Sequence, residues 1–162
     1  NAVIRGASAA HVLGMVDDVQ VNAATTGAFD FAHLTTDNIE RIEILRGGAS
    51  TLYGSDAVGG VIHIITNDGS GPPGLHARAT AEAGSHRTFR ESAELQWATS
   101  RTQCSTAVSR LDSDGVSADD DYRNLTYSIR SVSRLTDRMD LDTTFRAHEG
   151  RVGIEASLQD CF

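Results

Sequence analysis

Hydrophobic and polar residues alternate over most of the C-terminal half of the chain. From Leu75 onward, alanine occupies every second position, and the positions between carry histidine, arginine, threonine and glutamate. The same alternation recurs over residues 89–97, 124–130 and 139–148, and more weakly over 102–111. A period of two in segments of roughly ten residues, separated by short polar turns, predicts an antiparallel β-meander of about five strands.

Two environments are compatible with this alternation. One is a half-buried sheet in a soluble protein. The other is the wall of a membrane β-barrel, with an apolar face toward lipid and a polar face toward the lumen. Strands of about 9–11 residues are long enough to cross a bilayer at a tilt. Trp97 and Tyr122 lie near strand ends, where the aromatic girdle of such a wall would be. The alternation alone leaves both environments open.

Residues 1–68 have a different, more compact pattern. Val12–Val16, the turn Asp17-Asp18 and Val19–Val21 predict a β-hairpin. Thr36–Glu40 predicts a single capped helical turn. The nearly continuous β-branched run Val61–Thr66 predicts a strand that is buried on both faces. The segment Gly69–Gly74, which is rich in glycine and proline, then predicts a domain boundary.

Composition excludes several classes of function. The net charge of −8 argues against nucleic acid as a partner, because phosphate binding needs a basic surface. All 14 basic residues are arginine, so lysine nucleophiles, Schiff bases and P-loops are excluded. No run approaches the 18 apolar residues that a transmembrane helix needs. The six histidines are scattered, and Cys104 and Cys161 have no zinc-ligand spacing. These features predict neither an enzyme nor a required cofactor.

A continuous set of motifs in the N-terminal segment carries a resemblance to a known family. Residues 39–48 read IERIEILRGG, 52–54 read LYG and 57–66 read AVGGVIHIIT; further upstream, residues 16–22 read VDDVQVN. Together with Ile4-Arg5-Gly6, they resemble the plug domain of TonB-dependent outer-membrane receptors, most closely the cobalamin and siderophore transporter branch. The resemblance covers residues 3–66.

Three residues depart from the family pattern. Asp18 stands in place of glycine in the hairpin turn, Gly48 in place of proline, and His63 in place of asparagine. Aspartate tolerates a left-handed turn, so the hairpin is still expected. None of the three departures removes a charged residue that the transport mechanism of this family needs.

The resemblance implies a fold and a domain organisation. Residues 1–68 are expected to be the C-terminal part of an α+β plug domain and residues 69–74 a linker. Residues 75–162 are expected to be the first strands, about five, of a 22-stranded transmembrane β-barrel. So few strands cannot close a barrel, so a fragment or a truncated product is expected.

The resemblance also implies a function. The intact receptor is expected to take up a scarce large nutrient, a ferric siderophore or cobalamin, across the bacterial outer membrane. Its partners are then outer-membrane lipid and the energy-transducing protein TonB, which would bind a TonB box absent from this chain. The alternative is a standalone soluble plug-like binding module without transport activity.

The resemblance implies two groups of plug residues with roles. Arg46 and Arg41 are expected to pair with carboxylates of the barrel wall; the alternative is a solvated charged face. The plug apices that contact substrate are expected to be small and polar. They are Ala23, Ala24, Thr25, Thr26, Gly27, Ala28, Ser50, Thr51, Leu52 and Tyr53.

An acidic loop separates the third and fourth strands of the predicted meander. Its five carboxylates repel one another unless they are solvated or neutralised. The first two resemble the start of a calcium loop, although no glutamate closes an EF-hand. Calcium binding and a solvated acidic loop therefore both remain open. The candidate calcium ligands are Asp112, Asp114, Asp119 and Asp121.

Overall fold

The chain forms two β-sheets in a computed structural model that describes residues 4, 6–31, 34–48, 50–116 and 120–153. The N-terminal sheet contains four strands in the order β2-β1-β4-β3. Its strands are β1 (Val12–Val16), β2 (Val19–Gln20), β3 (Ile39–Arg46) and β4 (Gly60–Thr66). Among the described residues, the short helical turns that accompany it include the 3-10 turns Ala9–His11 and Ser55–Ala57 and the single-turn helix α1 (Ser50–Tyr53).

The predicted hairpin is confirmed. Val16 pairs with Val19 across an antiparallel two-residue turn, and both turn residues, Asp17 and Asp18, have positive φ angles of 47° and 66°. Such turns match the twist of the flanking strands, and aspartate is among the few residues that tolerate this backbone conformation. The hairpin therefore forms despite the absence of a turn glycine.

Strand β4 is central in the N-terminal sheet. It pairs in parallel with β1 and antiparallel with β3. Val61 and Ile64 are 0% and 1% exposed. Because they are three residues apart, they lie on opposite faces of the strand. This confirms the prediction of a strand with buried residues on both faces. Val61 also forms the small apolar core with Leu13 and Ala57.

The helical turn predicted at Thr36–Glu40 is wrong. Residues 36–39 form a β-turn in which Ile39 N donates to Thr36 O at 3.3 Å, and β3 begins at Ile39. Asn38 in this turn has a φ of 63°, a left-handed conformation that does not continue a right-handed helix. The polar residues that suggested a helix cap instead contact the second sheet.

The C-terminal sheet is a five-stranded antiparallel meander in sequence order, which confirms the predicted topology. Its strands are β5 (Gly74–Ala83), β6 (Phe89–Ala98), β7 (Thr102–Ser113), β8 (Tyr122–Thr136) and β9 (Met139–Val152). Short turns at 99–101 and 137–138 connect strands at one end, and the longer segments 84–88 and 114–121 connect them at the other. In the connection between the sheets, Gly69 has a φ of 81° and packs against the backbone of Cys104.

The C-terminal sheet has its polar face inside. Ser105, Ser109 and Thr126 are 0–3% exposed and face the N-terminal sheet. The apolar side chains of Leu75 and Phe145 on the opposite face are 66% and 58% exposed. A soluble half-buried sheet buries its apolar face. The observed arrangement is that of a barrel wall with a polar lumen and an apolar exterior.

The helices that the structure describes include none with the length and apolarity needed to cross a membrane. Cys104 is a free thiol, and Cys161 lies outside the described residues.

Candidate functional site: the interface between the two sheets

A buried carboxylate in the N-terminal hairpin joins the two sheets. The Asp17 side chain is only 3% exposed, and it accepts hydrogen bonds from its own sheet and from the other one. Thr66 at the end of β4 donates its backbone N–H at 2.8 Å and its hydroxyl at 2.6 Å. From β9, Thr144 Oγ1 donates at 3.0 Å.

The cation of this junction is Arg130 on β8. Its Nη1 donates to Asp17 Oδ1 at 3.1 Å and to Thr66 O at 2.8 Å, and its Nη2 donates to Asp142 Oδ2 at 2.9 Å. The Arg130 side chain is 13% exposed, whereas that of Asp142 is 48% exposed. The two carboxylates and the polar partners compensate the desolvation of the guanidinium. We call Asp17, Thr66, Arg130, Asp142 and Thr144 the hairpin junction.

The turn at residues 36–38 makes a second contact between the sheets. Asn38 is 5% exposed; its Oδ1 accepts from Ser105 Oγ at 2.8 Å, and its Nδ2 donates to Ser128 Oγ at 3.2 Å. Arg90 on β6 donates to Thr36 Oγ1 at 2.8 Å and to Asp37 Oδ1 at 3.1 Å. This turn therefore buries a neutral amide and places a partly exposed ion pair against the inner face of the C-terminal sheet.

A cavity of about 420 Å³ adjoins this turn near the end of the sheet that carries the longer connections. Its lining includes Thr35, Asp37, Arg90 and Ser109. Thr35 Oγ1, Asp37 Oδ2 and Ser109 Oγ are buried and have no hydrogen-bond partner among the described residues. The cavity can therefore accommodate groups that donate hydrogen bonds.

The two arginines expected to pair with wall carboxylates lie on β3, away from the hairpin junction. Arg41 bonds to its own strand neighbours Glu40 and Glu43, each at 2.8 Å, and is 52% exposed. The hydrogen bond from Arg41 lowers the pKa of Glu43. Within the described part of the chain Arg46 makes no ion pair, and β5–β9 offer no carboxylate to either arginine. Their pairing with a wall carboxylate stays a prediction.

The structure separates the two groups of expected substrate contacts. Ala23, Thr26 and Ala28 line a cavity of about 740 Å³ between the N-terminal sheet and β9. Valines of β1, β2 and the following loop form its apolar side, and Arg146 and His148 lie on its polar side. Residues 50–53 form α1 outside this cavity, with Leu52 81% exposed. No substrate contact of either group is tested.

Two of the four candidate calcium ligands already pair with arginine. Asp112 contacts Arg110 Nε at 2.5 Å, and Asp114 pairs with Arg87. Asp121 accepts the Gly153 backbone N–H through its own carbonyl at 2.7 Å, and Asp119 lies outside the described residues. Among the residues that the structure describes, no three histidine, cysteine or acidic side chains are grouped to hold a metal. Calcium binding stays a prediction.

Sequence reasoning missed the residues that join the sheets. The local sequence predicts Asp17 only as a turn residue, and the burial of its carboxylate is decided by the tertiary structure. Arg130 is one of several arginines on the polar face of a strand, and nothing local distinguishes it. The one signal that points to Arg130 is its position on the polar face of a predicted wall strand, since that face is expected to surround the plug.

The N-terminal segment matches a known protein family. Residues 1–61 match the family model of the TonB-dependent receptor plug domain. Two curated relatives are vitamin B12 transporters, from Photobacterium profundum and Vibrio vulnificus, each 48% identical over 63 residues. These 63 residues are 39% of this chain and 10% of each relative, so the chain matches about a tenth of the length of the curated relatives.

The likeness in structure extends over both sheets. The siderophore receptor PirA from Acinetobacter baumannii superposes with a TM-score of 0.74 at 21% identity, over 91% of this chain and 25% of that one. PirA from Pseudomonas aeruginosa gives 0.67 at 27% identity, over 91% and 27%. The chain thus has the fold of these receptors over about a quarter of their length.

Proposed function

Because residues 1–61 match the plug domain of TonB-dependent receptors and both sheets have the fold of such receptors, we propose that this chain is the plug and first wall strands of a receptor that serves active uptake of a scarce large nutrient across the bacterial outer membrane. The proposed nutrient class is a ferric siderophore or cobalamin. The names of the similar proteins, vitamin B12 transporters and siderophore receptors, support this class. The observation that carries the proposal is the orientation of the C-terminal sheet. Its polar face packs on the N-terminal sheet and its apolar face is exposed, the opposite of a half-buried sheet in a soluble protein.

The proposed mechanism needs a plug that is held firmly but released by a pull. The hairpin junction suits this role because its contacts are hydrogen bonds and ion pairs rather than interdigitated apolar side chains. Once displaced, these polar groups regain hydrogen bonds from water, which apolar side chains cannot do. The wall strands are joined by continuous antiparallel ladders such as β7–β8. A pull exerted by TonB therefore breaks the junction before it breaks the wall.

Substrate is proposed to reach the plug from the end with the longer connections. Membrane barrels of bacteria have short periplasmic turns and longer external loops. The described residues of the connections after β5 and β7 then lie outside the cell, and the turns 99–101 and 137–138 lie on the periplasmic side. In this orientation the cavity beside Asp37 opens on the external side. The proposal includes no covalent chemistry.

Cysteine labelling tests this placement. In a background with Cys104→Ser and Cys161→Ser, the variants Asp121→Cys and Arg138→Cys are expressed with an export signal and exposed to a membrane-impermeant maleimide. We expect intact cells to label Asp121→Cys, and Arg138→Cys to be labelled only after the outer membrane is permeabilised. Fractionation should place both variants in the outer membrane.

The same experiment addresses the alternative of a soluble binding module. That alternative requires a monodisperse monomer in the soluble fraction without detergent and equal labelling of the two cysteines. This result would exclude the membrane proposal.

A further inference from the structure

Two carboxylates of the plug, Asp17 and Asp37, bind wall arginines that also have a carboxylate partner on the wall. Arg130 Nη1 donates to Asp17 Oδ1 at 3.1 Å, and the Nε and Nη2 of the same side chain donate to Asp142 at 3.4 and 2.9 Å. Asp142 lies on β9, the strand next to β8 in the wall. One guanidinium therefore serves two carboxylates, of which only Asp17 leaves when the two sheets separate.

The same arrangement occurs at the turn of residues 36–38. Arg90 Nη2 donates to Asp37 Oδ1 at 3.1 Å, while Arg90 Nη1 lies 3.8 Å from Glu82 Oε2. Glu82 is directly opposite Arg90 in the ladder of β5 and β6, so both residues belong to the wall. The side chains of Asp37 and Glu82 are 10% and 60% exposed. At both contacts the plug supplies the more buried carboxylate and the wall supplies the more hydrated one.

Sharing of an arginine has different effects before and after the sheets separate. While the sheets are docked, Asp17 and Asp142 lie within hydrogen-bond distance of one guanidinium, so their negative charges repel each other. After separation Asp17 is hydrated, and Arg130 keeps Asp142 instead of remaining on the wall without a counterion. The repulsion raises the free energy of the docked state, and the retained pair lowers that of the separated state.

We propose that Asp142 and Glu82 are standby counterions, which take over the wall arginines when the plug is released. They act through Arg130 and Arg90 and are therefore positioning residues for plug release. When a pull displaces Asp17, the Arg130 guanidinium pairs with Asp142 alone, and the return of Asp17 restores the docked state. Arg90 and Glu82 respond in the same way at the turn. The inference rests on the plug release that is part of the proposed function.

Asp142→Asn tests the inference, because a residue that merely holds Arg130 in place and a standby counterion predict effects of opposite sign. The full chain in detergent micelles undergoes hydrogen–deuterium exchange over a series of urea concentrations, and the peptides that cover β1 and β4 are followed. We expect their exchange to be roughly twofold to fivefold slower in the variant, the range for a solvent-exposed ion pair. The charges of Arg146 and Asp68 also act at this site, and they cancel in the comparison because the variant leaves both unchanged.

Asp140→Asn is the matched control. Asp140 lies two residues from Asp142 on the same strand and is 3.6 Å from Arg134, and the two side chains are 61% and 62% exposed. This variant should leave the exchange of β1 and β4 unchanged. Glu82→Gln should slow the exchange of the peptide that covers residues 36–38, by a smaller factor because its contact is longer. Faster or unchanged exchange of β1 and β4 in Asp142→Asn would overturn the inference, as would an equal effect of the control.

A mutant cycle keeps the test decisive if Asp142→Asn also disturbs the wall. Asp17→Asn should accelerate the exchange of β1 and β4 more strongly in the Asp142→Asn background than in the unmodified chain, because Asp17 there no longer shares Arg130. Equal acceleration in both backgrounds would overturn the inference. The cysteine labelling judges the uptake proposal separately: the expected labelling together with equal acceleration would retain the receptor and exclude only the exchange of partners.

Discussion

Neutralising Asp17 should release the N-terminal sheet from the wall. Asp17→Asn keeps the size of the side chain and tolerates the positive φ, so it removes mainly the charge. The carboxylate accepts four hydrogen bonds while only 3% exposed. A hydrogen bond to a charged group contributes about 1.5–3 kcal/mol, and breaking a buried pair costs about 3–5 kcal/mol. Because Arg130 keeps Asp142, we expect a loss of about 2–4 kcal/mol.

Hydrogen–deuterium exchange measures this loss at the site. The full chain in detergent micelles is exchanged over a series of urea concentrations, and the peptides that cover β1 and β4 are followed. A loss of about 2–4 kcal/mol corresponds to exchange about 30- to 700-fold faster. Peptides from β7 and β8 should change much less, because their ladders do not depend on Asp17.

The matched control is Asp18→Asn in the same turn. The Asp18 side chain is 81% exposed and contacts His63 at 3.3 Å, an interaction in solvent that contributes less than about 1 kcal/mol. Combining Asp17→Asn with Arg130→Met should cost less than the sum of the two single changes, because they share one interaction. If Asp17→Asn and Asp18→Asn have equal and small effects, the hairpin junction does not stabilise the contact between the two sheets.

Three further outcomes are expected. Asn38→Ala should lower the free energy of opening by about 2–4 kcal/mol in the same exchange assay, because it leaves two buried serine hydroxyls without their partner and places alanine in a left-handed conformation. Asn38→Gly relieves only the backbone strain and so separates the two causes. Arg41→Gln should raise the pKa of Glu43 toward its ordinary value in an NMR titration. The small stabilisation from this pair is present above the unfolded pKa and is lost as the pH falls through the lower folded pKa. The free energy of unfolding of the variant should therefore depend less on pH in the acid range. If calcium binds the acidic loop, proteolysis within residues 112–121 should slow as calcium is added; protection that calcium leaves unchanged would favour a loop neutralised by its arginines.

A further prediction concerns the proposed pairing of Arg46 with a carboxylate of the barrel wall. If Arg46 pairs with a wall carboxylate beyond β5–β9, Arg46→Gln should weaken the plug in a receptor that carries those strands and leave the exchange of the present chain unchanged. A weakening in the present chain would instead assign Arg46 a role within the plug.

The sequence by itself determined the strands and their order. Period-two alternation and polar turns predict the meander because side chains of a strand point alternately to two faces. The Asp17-Asp18 turn between two apolar runs predicts the hairpin for an equally local reason, and the β-branched run at Val61–Thr66 predicts the central strand. The motifs of residues 39–66 were also sufficient to indicate the plug, which the family match over residues 1–61 confirms.

Only the tertiary structure decided which face of the meander is inside and which polar residues matter. Alternation is symmetric, so it cannot say whether the serines of β7 or the apolar residues opposite them are buried; packing of the plug on the serine face settles this. The helix cap predicted at Thr36–Glu40 failed because Asn38 finds its partners on β7 and β8, 67 and 90 residues away, rather than in a local helix. Asp17 and Arg130 are 113 residues apart, and their pairing depends on the docking of two sheets that no local pattern encodes.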